Sequence, residues 1–213
     1  MLFYKLVNLF FPARCIFCRE SMETGQDLLV CPRCLTRYGA EREAMTLPRG
    51  MGRCRYALRY RDEVRGAVLR FKFSGRLQYA RSFAHFMEPF ADADADLVTW
   101  VPIHPIRLLR RTYDQAQVLA EAFSKRSGIP LARTLRKVRY NRTQSSLAGR
   151  ERTENVRNCY RAVHLSQIQG KVILLLDDVA TTGATMAECA RILYAAGAKD
   201  VRCIALAHGG KAK

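Results

Sequence analysis

Two periods of apolar residues alternate along this chain. Residues 55–60 read Arg-Tyr-Ala-Leu-Arg-Tyr, an alternation typical of a strand, and the apolar residues of 63–73 then recur at helical spacing. The same reasoning predicts strands at 97–101, 172–177 and 201–207, and helices at 77–90, 113–127, 146–156 and 185–196. Strands that alternate with helices indicate an α/β fold in which helices cover both faces of a parallel sheet. Because ligands of such sheets bind beyond the carboxyl ends of the strands, we expect the chemistry there.

The beginning of the chain has a different pattern. Residues 1–11 are apolar, but they are too few to span a bilayer and they include Lys5 and Asn8. A short helix packed on the body of the protein is therefore favoured over a signal peptide or a membrane anchor, and no other window approaches a membrane span. Residues 39–53 mix glycine, proline and charges without a sustained period. We predict two domains, residues 1–48 and residues 49–213.

Four cysteines of the first domain form two CxxC pairs: Cys15, Cys18, Cys31 and Cys34. Without a signal peptide we expect a cytoplasmic protein, in which thiols stay reduced and paired cysteines usually bind metal. The spacing predicts a closed, structural four-cysteine zinc ribbon. A redox CxxC is disfavoured because such a motif normally stands beside a βαβ unit. The remaining cysteines lack metal-ligand spacing and are predicted to fill the core: Cys54, Cys159, Cys189 and Cys203.

A second motif lies near the end of the chain. Residues 172–176 are an uninterrupted apolar run, typical of a strand buried on both faces, which carries Asp177 and Asp178 at its carboxyl end. Residues 179–185 then read Val-Ala-Thr-Thr-Gly-Ala-Thr, where small residues and hydroxyls before a helix suit a phosphate. Two carboxylates would repel that phosphate, but they suit sugar hydroxyls or a divalent metal. The motif therefore predicts a ribose phosphate site, whereas a merely structural strand and capped helix would not explain the adjacent aspartates.

These segments resemble a known family. The sequence VILLLDDVATTGAT is similar to the signature for 5-phosphoribosyl-1-pyrophosphate (PRPP) in type I phosphoribosyltransferases. Together with the ribbon, the segments VPIHP, RRTYDQAQ and RYNRTQSSL resemble the ComF family, which is associated with DNA uptake in competent bacteria. The resemblance covers nearly the whole chain. It implies a type I phosphoribosyltransferase-like α/β domain preceded by a small zinc ribbon.

The resemblance also implies roles for individual residues. Asp177 and Asp178 would be the catalytic residues, binding the ribose hydroxyls together with magnesium. The residues implied in binding PRPP are Val179, Ala180, Thr181, Thr182, Gly183, Ala184 and Thr185 around the 5-phosphate, with Pro102 and His104 in a pyrophosphate loop. We assign His104 no proton transfer, and residues 139–144 resemble a mobile loop that closes over the substrate. Where the family usually reads RGFNQ, residues 111–115 read Arg-Thr-Tyr-Asp-Gln, so Thr112 and Asp114 replace a glycine and an amide.

The charge of the chain adds a polyanion to the expected partners. The formal net charge is +17, and 28 of the 36 basic residues are arginine, whose planar fork matches phosphate and stacks on bases. A soluble, solvated basic surface is the alternative interpretation. The segment 70–76 could hold pyrophosphate or bases, although its two phenylalanines could equally be core residues. The residues proposed to contact DNA are Lys72, Arg76, Arg136, Arg139 and Arg142.

An enzyme and a binding module both fit these features. With magnesium, the enzyme would transfer the phosphoribosyl group from PRPP to an acceptor that no segment of the sequence identifies. The binding module would sense the ligand while arginines and ribbon hold single-stranded DNA. The family resemblance favours a competence protein in DNA uptake and natural transformation, with a DNA-uptake helicase or recombination proteins as further partners. The alternative is a metabolic phosphoribosyltransferase that acts on a base or small molecule without a DNA role. A transcription regulator is disfavoured because no helix-turn-helix pattern is evident.

Overall fold

The cysteine-rich segment folds as one short hairpin and one short helix. A computed structural model describes residues 13–23, 25–39, 43–140 and 156–210. In its first part, β1 (Ala13–Arg14) pairs antiparallel with β2 (Ser21–Met22), and α1 (Pro32–Tyr38) begins directly after Cys31. Proline suits the first position of a helix because its missing N–H would have no intrahelical partner there. The two CxxC pairs therefore lie at a turn and at a helix start.

The main sheet has five strands in the described part of the chain. They are β3 (Glu43–Thr46), β4 (Arg53–Arg59), β5 (Leu97–Trp100), β8 (Val172–Ala180) and β9 (Asp200–His208), whereas β6 (Leu135–Lys137) and β7 (Tyr160–Ala162) form a separate antiparallel pair. The strand order is β3-β4-β9-β8-β5, and all pairs are parallel except β3 with β4. The predicted α/β class is confirmed. The sheet also has an antiparallel edge strand, β3, within residues 39–53, where the sequence predicts only a boundary.

Five helices flank this sheet: α2 (Asp62–Phe73), α3 (Tyr79–Met87), α4 (Pro105–Arg111), α5 (Gln115–Ser127) and α6 (Ala184–Ala195). The helix predicted over 77–90 is shorter and ends in a separate 3-10 turn, Glu88–Phe90. The helix predicted over 113–127 begins at Gln115 because Asp114 caps it, and the short helix α4 was not predicted. Two further predictions, the helix in residues 1–11 and all but the last residue of the helix at 146–156, lie outside the described residues.

Alternate residues of the central strands supply two hydrophobic clusters. Leu174 and Leu176 of β8 pack with the aromatic residues of α2, α3 and α5, whereas Ile173 and Leu175 pack with α6 and the β6–β7 pair. Since successive side chains of a strand point to opposite faces, the two clusters lie on the two sides of the sheet. Both faces of the sheet are therefore covered, as the uninterrupted apolar run predicts.

The ribbon shares the first of these clusters. The Phe17 ring lies 4.6 Å from the Tyr38 ring and 5.6 Å from the Phe86 ring of α3, measured between centroids. Arg70 of α2 donates to the carbonyl of Ile16 at 2.6 Å. The cysteine segment is consequently seated on α2 and α3 by aromatic packing and by a hydrogen bond to its backbone. No helix within the described ranges is both long and apolar enough to cross a bilayer.

Candidate functional site

A cavity of about 220 Å³ lies at the carboxyl ends of β5 and β8. Asp177, Asp178 and Thr185 line it from β8 and α6, and residues 101–103 line it from the segment after β5. Parallel pairing of β5 with β8 brings these two chain segments together, although they are about seventy residues apart in sequence. β8 extends to Ala180, so Val179 and Ala180 belong to the strand and only Thr181, Thr182 and Gly183 form the turn before α6.

The two aspartates are in unequal surroundings. The Lys72 ammonium of α2 lies 2.8 Å from Oδ1 of Asp178, and the Asp178 N–H donates to Oδ1 of Asp177 at 2.8 Å. Burial raises the pKa of Asp177 well above its usual range, the charge of Asp178 raises it further, and Lys72 lowers it. One carboxylate is therefore ion-paired, and the other is a desolvated acid that favours a cation or hydroxyl donors beside it. Lys72, which the sequence predicts as a DNA contact, lies in this cavity with only 18% of its side chain exposed.

The turn between β8 and α6 presents the start of a helix to the same end of the sheet. Gly183 is the N-cap residue of α6 and has a left-handed φ of 71°. A Cβ at Gly183 would lie 2.6 Å from Cδ2 of Leu47, so glycine is required for both its conformation and its close packing. Thr182 Oγ1 accepts from the Ala184 N–H at 3.4 Å. The N–H groups of the first turn of a helix lack intrahelical acceptors, which suits them to a phosphate.

The segment after β5 forms the opposite wall. Pro102 is buried and lines the cavity, while His104 Nδ1 accepts from the Ile106 N–H at 3.3 Å and caps α4. The His104 ring packs edge-on against Tyr140 at 5.4 Å between centroids. Burial lowers the pKa of His104, and the charges of Lys137 and Arg107 lower it further. His104 thus shapes the loop and the start of the helix.

Both departures from the RGFNQ pattern have a structural counterpart. Thr112 ends α4 in the left-handed conformation, with φ at 65°, which glycine adopts without strain. Asp114 caps α5 by accepting from the Ala116 and Gln117 N–H groups with Oδ1, and its Oδ2 accepts from the Ile103 N–H at 3.0 Å. Burial raises the pKa of Asp114, an effect that these backbone donors oppose. Asp114 therefore ties the cavity wall at Ile103 to α5.

Four cationic or aromatic residues of this cavity were not predicted from the sequence: Arg107, Arg111, Lys137 and Tyr160. Arg107 and Arg111 are one helical turn apart on α4, a spacing that could have indicated a shared face. Lys137 and Tyr160 are paired in register across β6 and β7. These strands have only three residues each, which is too short for a periodic signal.

The proposed DNA contacts fall in different places. Arg76, Arg136 and Arg139 are exposed, whereas Arg142 lies outside the described residues. Arg111 stacks over Phe73 at 4.7 Å, and Arg107 stacks over Tyr140 at 5.7 Å, each measured to the ring centroid. We use the name basic rim for these two stacked pairs and two exposed arginines close to them in sequence: Phe73, Arg76, Arg107, Arg111, Arg139 and Tyr140.

The predicted metal ligands come together in the cysteine-rich segment. The sulfur atoms of Cys15, Cys18, Cys31 and Cys34 all lie within 4.8 Å of one another, with 3.6 Å between those of Cys18 and Cys31. The Cys31 N–H points to Cys15 Sγ at 3.5 Å. This cluster could hold a metal ion and is compatible with a zinc ribbon. The other four cysteines are buried elsewhere and form no disulfide.

Comparison with known proteins agrees with this geometry. Residues 109–213 match the phosphoribosyl transferase domain family. The chain is 26% identical to competence protein F of Haemophilus influenzae, over 93% of this chain and 98% of that protein. It is 30% identical to competence protein ComFC of Bacillus subtilis over 65% of this chain and 56% of that protein. It is 33% identical to DNA utilization protein YhgH of Salmonella typhi over 50% of this chain and 47% of that protein. The matches to ComFC and YhgH thus span about half of those proteins.

The α/β fold is of the type I phosphoribosyltransferase kind, and residues 109–213 are a phosphoribosyl transferase domain by their family match. More particularly, the chain is a homologue of competence protein F and ComFC, which confirms the resemblance to the ComF family.

The left-handed Thr112 leads to a first prediction. A β-branched residue in this conformation costs about 1–2 kcal/mol, so we expect Thr112→Gly to raise the free energy of unfolding by about 1 kcal/mol despite the greater freedom of an unfolded glycine. Urea denaturation measures the change. Thr112→Ala is the control, because alanine retains most of the left-handed penalty. A Thr112→Gly protein less stable than the Thr112→Ala protein would contradict the prediction.

Proposed function

We propose that this chain is a competence protein whose phosphoribosyltransferase domain binds PRPP with magnesium at the cavity beyond β5 and β8. The observation that carries the proposal is the pair Asp177 and Asp178 beside the glycine-containing start of α6. A sugar phosphate needs both an anion-binding turn and hydrogen-bond acceptors a short distance away. The names of the relatives, which refer to competence and to DNA utilization, support the biological setting.

The carboxylates fit a divalent cation. Lys72 neutralises Asp178, whereas Asp177 has no comparably close cation among the described residues. Magnesium prefers oxygen ligands and binds through one or two carboxylates plus substrate oxygens. When bound, it would neutralise charge on the donor. Asp177 and Asp178 would hold it and the ribose hydroxyls, and Lys72 would keep Asp178 oriented.

The chain's own groups would position the donor for transfer. The α6 turn would bind the 5-phosphate, and the segment 101–103 would face the pyrophosphate. Held in this way, the donor would expose the C1 carbon to a nucleophilic acceptor, and catalysis would come from positioning and charge stabilisation. A sensor that binds PRPP without turnover uses the same residues, so pyrophosphate release in the presence of an acceptor panel, including bases and DNA, distinguishes enzyme from sensor.

PRPP with magnesium is predicted to raise the thermal midpoint, because a ligand that binds only the native state stabilises it, by about 2.7 kcal/mol at a hundred times its Kd. Asp177→Asn combined with Asp178→Asn should abolish the shift. The exposed Asp27→Asn is the control and should retain it. A wild-type protein whose midpoint is unchanged by millimolar PRPP and magnesium would overturn the proposal.

The ionisation of Asp177 should also make the stability of the fold depend on pH, which gives a further readout of this experiment. Since the folded-state pKa of Asp177 is raised, its protonated form is favoured by folding, and this contribution is lost as pH rises through the folded pKa. Asp177→Asn without ligand should therefore be at least as stable as wild type above neutral pH. The advantage should disappear toward the unfolded pKa of about 3.9.

We also propose that the cysteine cluster binds one structural zinc ion. Zinc–sulfur bonds of about 2.3 Å would place the sulfurs of a tetrahedral site about 3.8 Å apart, close to the 3.6 Å between Cys18 and Cys31. Elemental analysis should find one zinc per chain and none in Cys34→Ser. Cys54→Ser, a thiol outside the cluster, should keep the metal. Because Phe17 packs on α3, a chelator should lower the thermal midpoint of the whole chain; zinc-free wild-type protein would refute the site.

A second candidate function, binding of single-stranded DNA, is favoured by the basic rim. Two of its arginines, Arg107 and Arg111, stack on exposed aromatic rings, a combination that suits phosphates and unpaired bases. The rim adjoins the cavity at Arg107 and Arg111, which also belong to the cavity lining. A DNA-uptake helicase and recombination proteins are also predicted as partners.

The affinity for a fluorescent oligonucleotide should fall steeply with salt. About five phosphate contacts give a slope near −3.5 in log K against log salt. Arg136→Glu with Arg139→Glu should weaken binding to all sequences alike, because phosphate contacts do not read bases. Arg53→Glu with Arg65→Glu removes the same charge from exposed positions elsewhere and should have a smaller effect. Equal losses in the two double variants, or no binding in low salt, would contradict DNA contacts at Arg136 and Arg139.

A further inference from the structure

A buried carboxylate outside both recognised motifs lies on α6. The side chain of Glu188 is only 1% exposed. Its carboxylate accepts from Nε and Nη2 of Arg191 at 3.0 and 2.9 Å and from the Asn158 N–H at 3.0 Å, and it lies 3.6 Å from Nη1 of Arg49. Burial raises the pKa of Glu188, but the hydrogen bonds from Arg191 and Asn158 outweigh burial and hold the pKa below its usual value. Glu188 is therefore a buried charge that joins α6 to two other segments of the chain.

Both of those segments bend sharply at the residue that meets Glu188. Arg49 lies in the turn Pro48–Gly50 between β3 and β4 and has a φ of 61°, and Asn158, just before β7, has a φ of 59°. The left-handed region is sterically costly for a residue with a side chain, and it persists only where surrounding contacts hold it. Since Arg49 and Asn158 contact the same carboxylate, Glu188 fixes both bends against α6.

The bend at Arg49 supports the turn before α6. A Cβ at Gly183 would lie 2.6 Å from Cδ2 of Leu47 and 3.1 Å from Cε of Met45, so the β3–β4 hairpin packs directly on the N-cap of α6. Arg49 follows in the same hairpin, and its ion pair with Glu188 joins the hairpin to the body of the helix. The position of the first N–H groups of α6 therefore depends on a hairpin that Glu188 holds in place.

We propose that Glu188 is a positioning residue for the 5-phosphate of the donor, an inference that rests on the proposed function. Glu188 lies outside the described lining of the cavity and acts without touching the ligand. It acts through Arg49 and the hairpin, which hold the turn before α6 in the shape that presents its N–H groups. The opposite wall is held separately, since the Ile103 N–H donates to Asp114. The effect of Glu188 is consequently confined to the phosphate end of the donor.

The test is titration calorimetry of the full chain and magnesium with PRPP, ribose 5-phosphate and inorganic pyrophosphate. Glu188→Gln keeps the side-chain volume and an acceptor for the Asn158 N–H, but it removes the charge that attracts Arg49. It should weaken the binding of PRPP and ribose 5-phosphate by about threefold to tenfold and leave pyrophosphate binding unchanged. Arg49→Gln should give a similar loss. The double variant should lose little more than either single variant, because both changes break one interaction.

The control is Arg53→Gln, which alters an exposed arginine of the same hairpin and should bind all three ligands normally. If Glu188→Gln does not fold, Arg49→Gln alone is used in the titrations. Unchanged affinities, equal losses for all three ligands, or fully additive losses in the double variant would overturn the role of Glu188 alone. Wild-type protein that binds neither PRPP nor ribose 5-phosphate would overturn the proposed donor, and this role with it.

Hydrogen exchange of the ligand-free chain gives a second readout. In Glu188→Gln and in Arg49→Gln, the amides of residues 183–190 should exchange faster than in wild type, whereas those of residues 97–100 in β5 should not change, because only the α6 turn loses its support. A purely global loss of stability would speed exchange in both segments alike, and that result would contradict a positioning role.

Discussion

The arrangement of the molecule depends on the parallel pairing of β8 between β5 and β9. β8 is buried on both faces, and its register with β5 places the Asp177–Asp178 pair beside the segment that starts at Val101. Hydrophobic burial on both sides holds the strand so that the polar groups at its end have little freedom to move. The aspartates, the α6 turn and the loop before α4 therefore meet at one edge because the strand beneath them cannot shift.

Charge compensation is the second constraint on the site. Asp178 is paired with Lys72, whereas Asp177 and Lys137 are desolvated titratable groups that line one cavity, and burial opposes the charged form of each. Such an arrangement costs stability in the absence of ligand. A ligand that brings a cation or hydroxyls to Asp177 and an anion to Lys137 would offset that cost. In the proposed function, PRPP with magnesium would be such a ligand.

The ribbon and the cavity are connected through α2. Arg70 donates to the ribbon carbonyl of Ile16, and two residues further on Lys72 pairs with Asp178. Between them, Phe71 is buried against Phe83 of α3 and accepts with its carbonyl from the Tyr113 hydroxyl. Metal binding in the ribbon would thus stabilise the same helix that supplies a charged group to the cavity. The sharing of one hydrophobic cluster makes the ribbon part of the domain's packing rather than a separate appendage.

The sequence alone was sufficient to predict the features that arise from residues close together along the chain. The apolar run of β8, the aspartates at its end, the turn before α6 and the CxxC pairs are all local patterns, and strand–helix alternation was enough for the α/β class. Tertiary structure decided the rest. β3, β6 and β7 are too short for a periodic signal and exist because partner strands pair with them, so Lys137 could be recognised only after folding brought it to the cavity. Lys72 shows the same limit. From the sequence alone, a lysine on a helix is expected to face solvent, and only the tertiary structure places it beside the Asp178 carboxylate of β8. The burial and pairing of a charge depend on residues that are distant in sequence, and a local pattern carries no information about them.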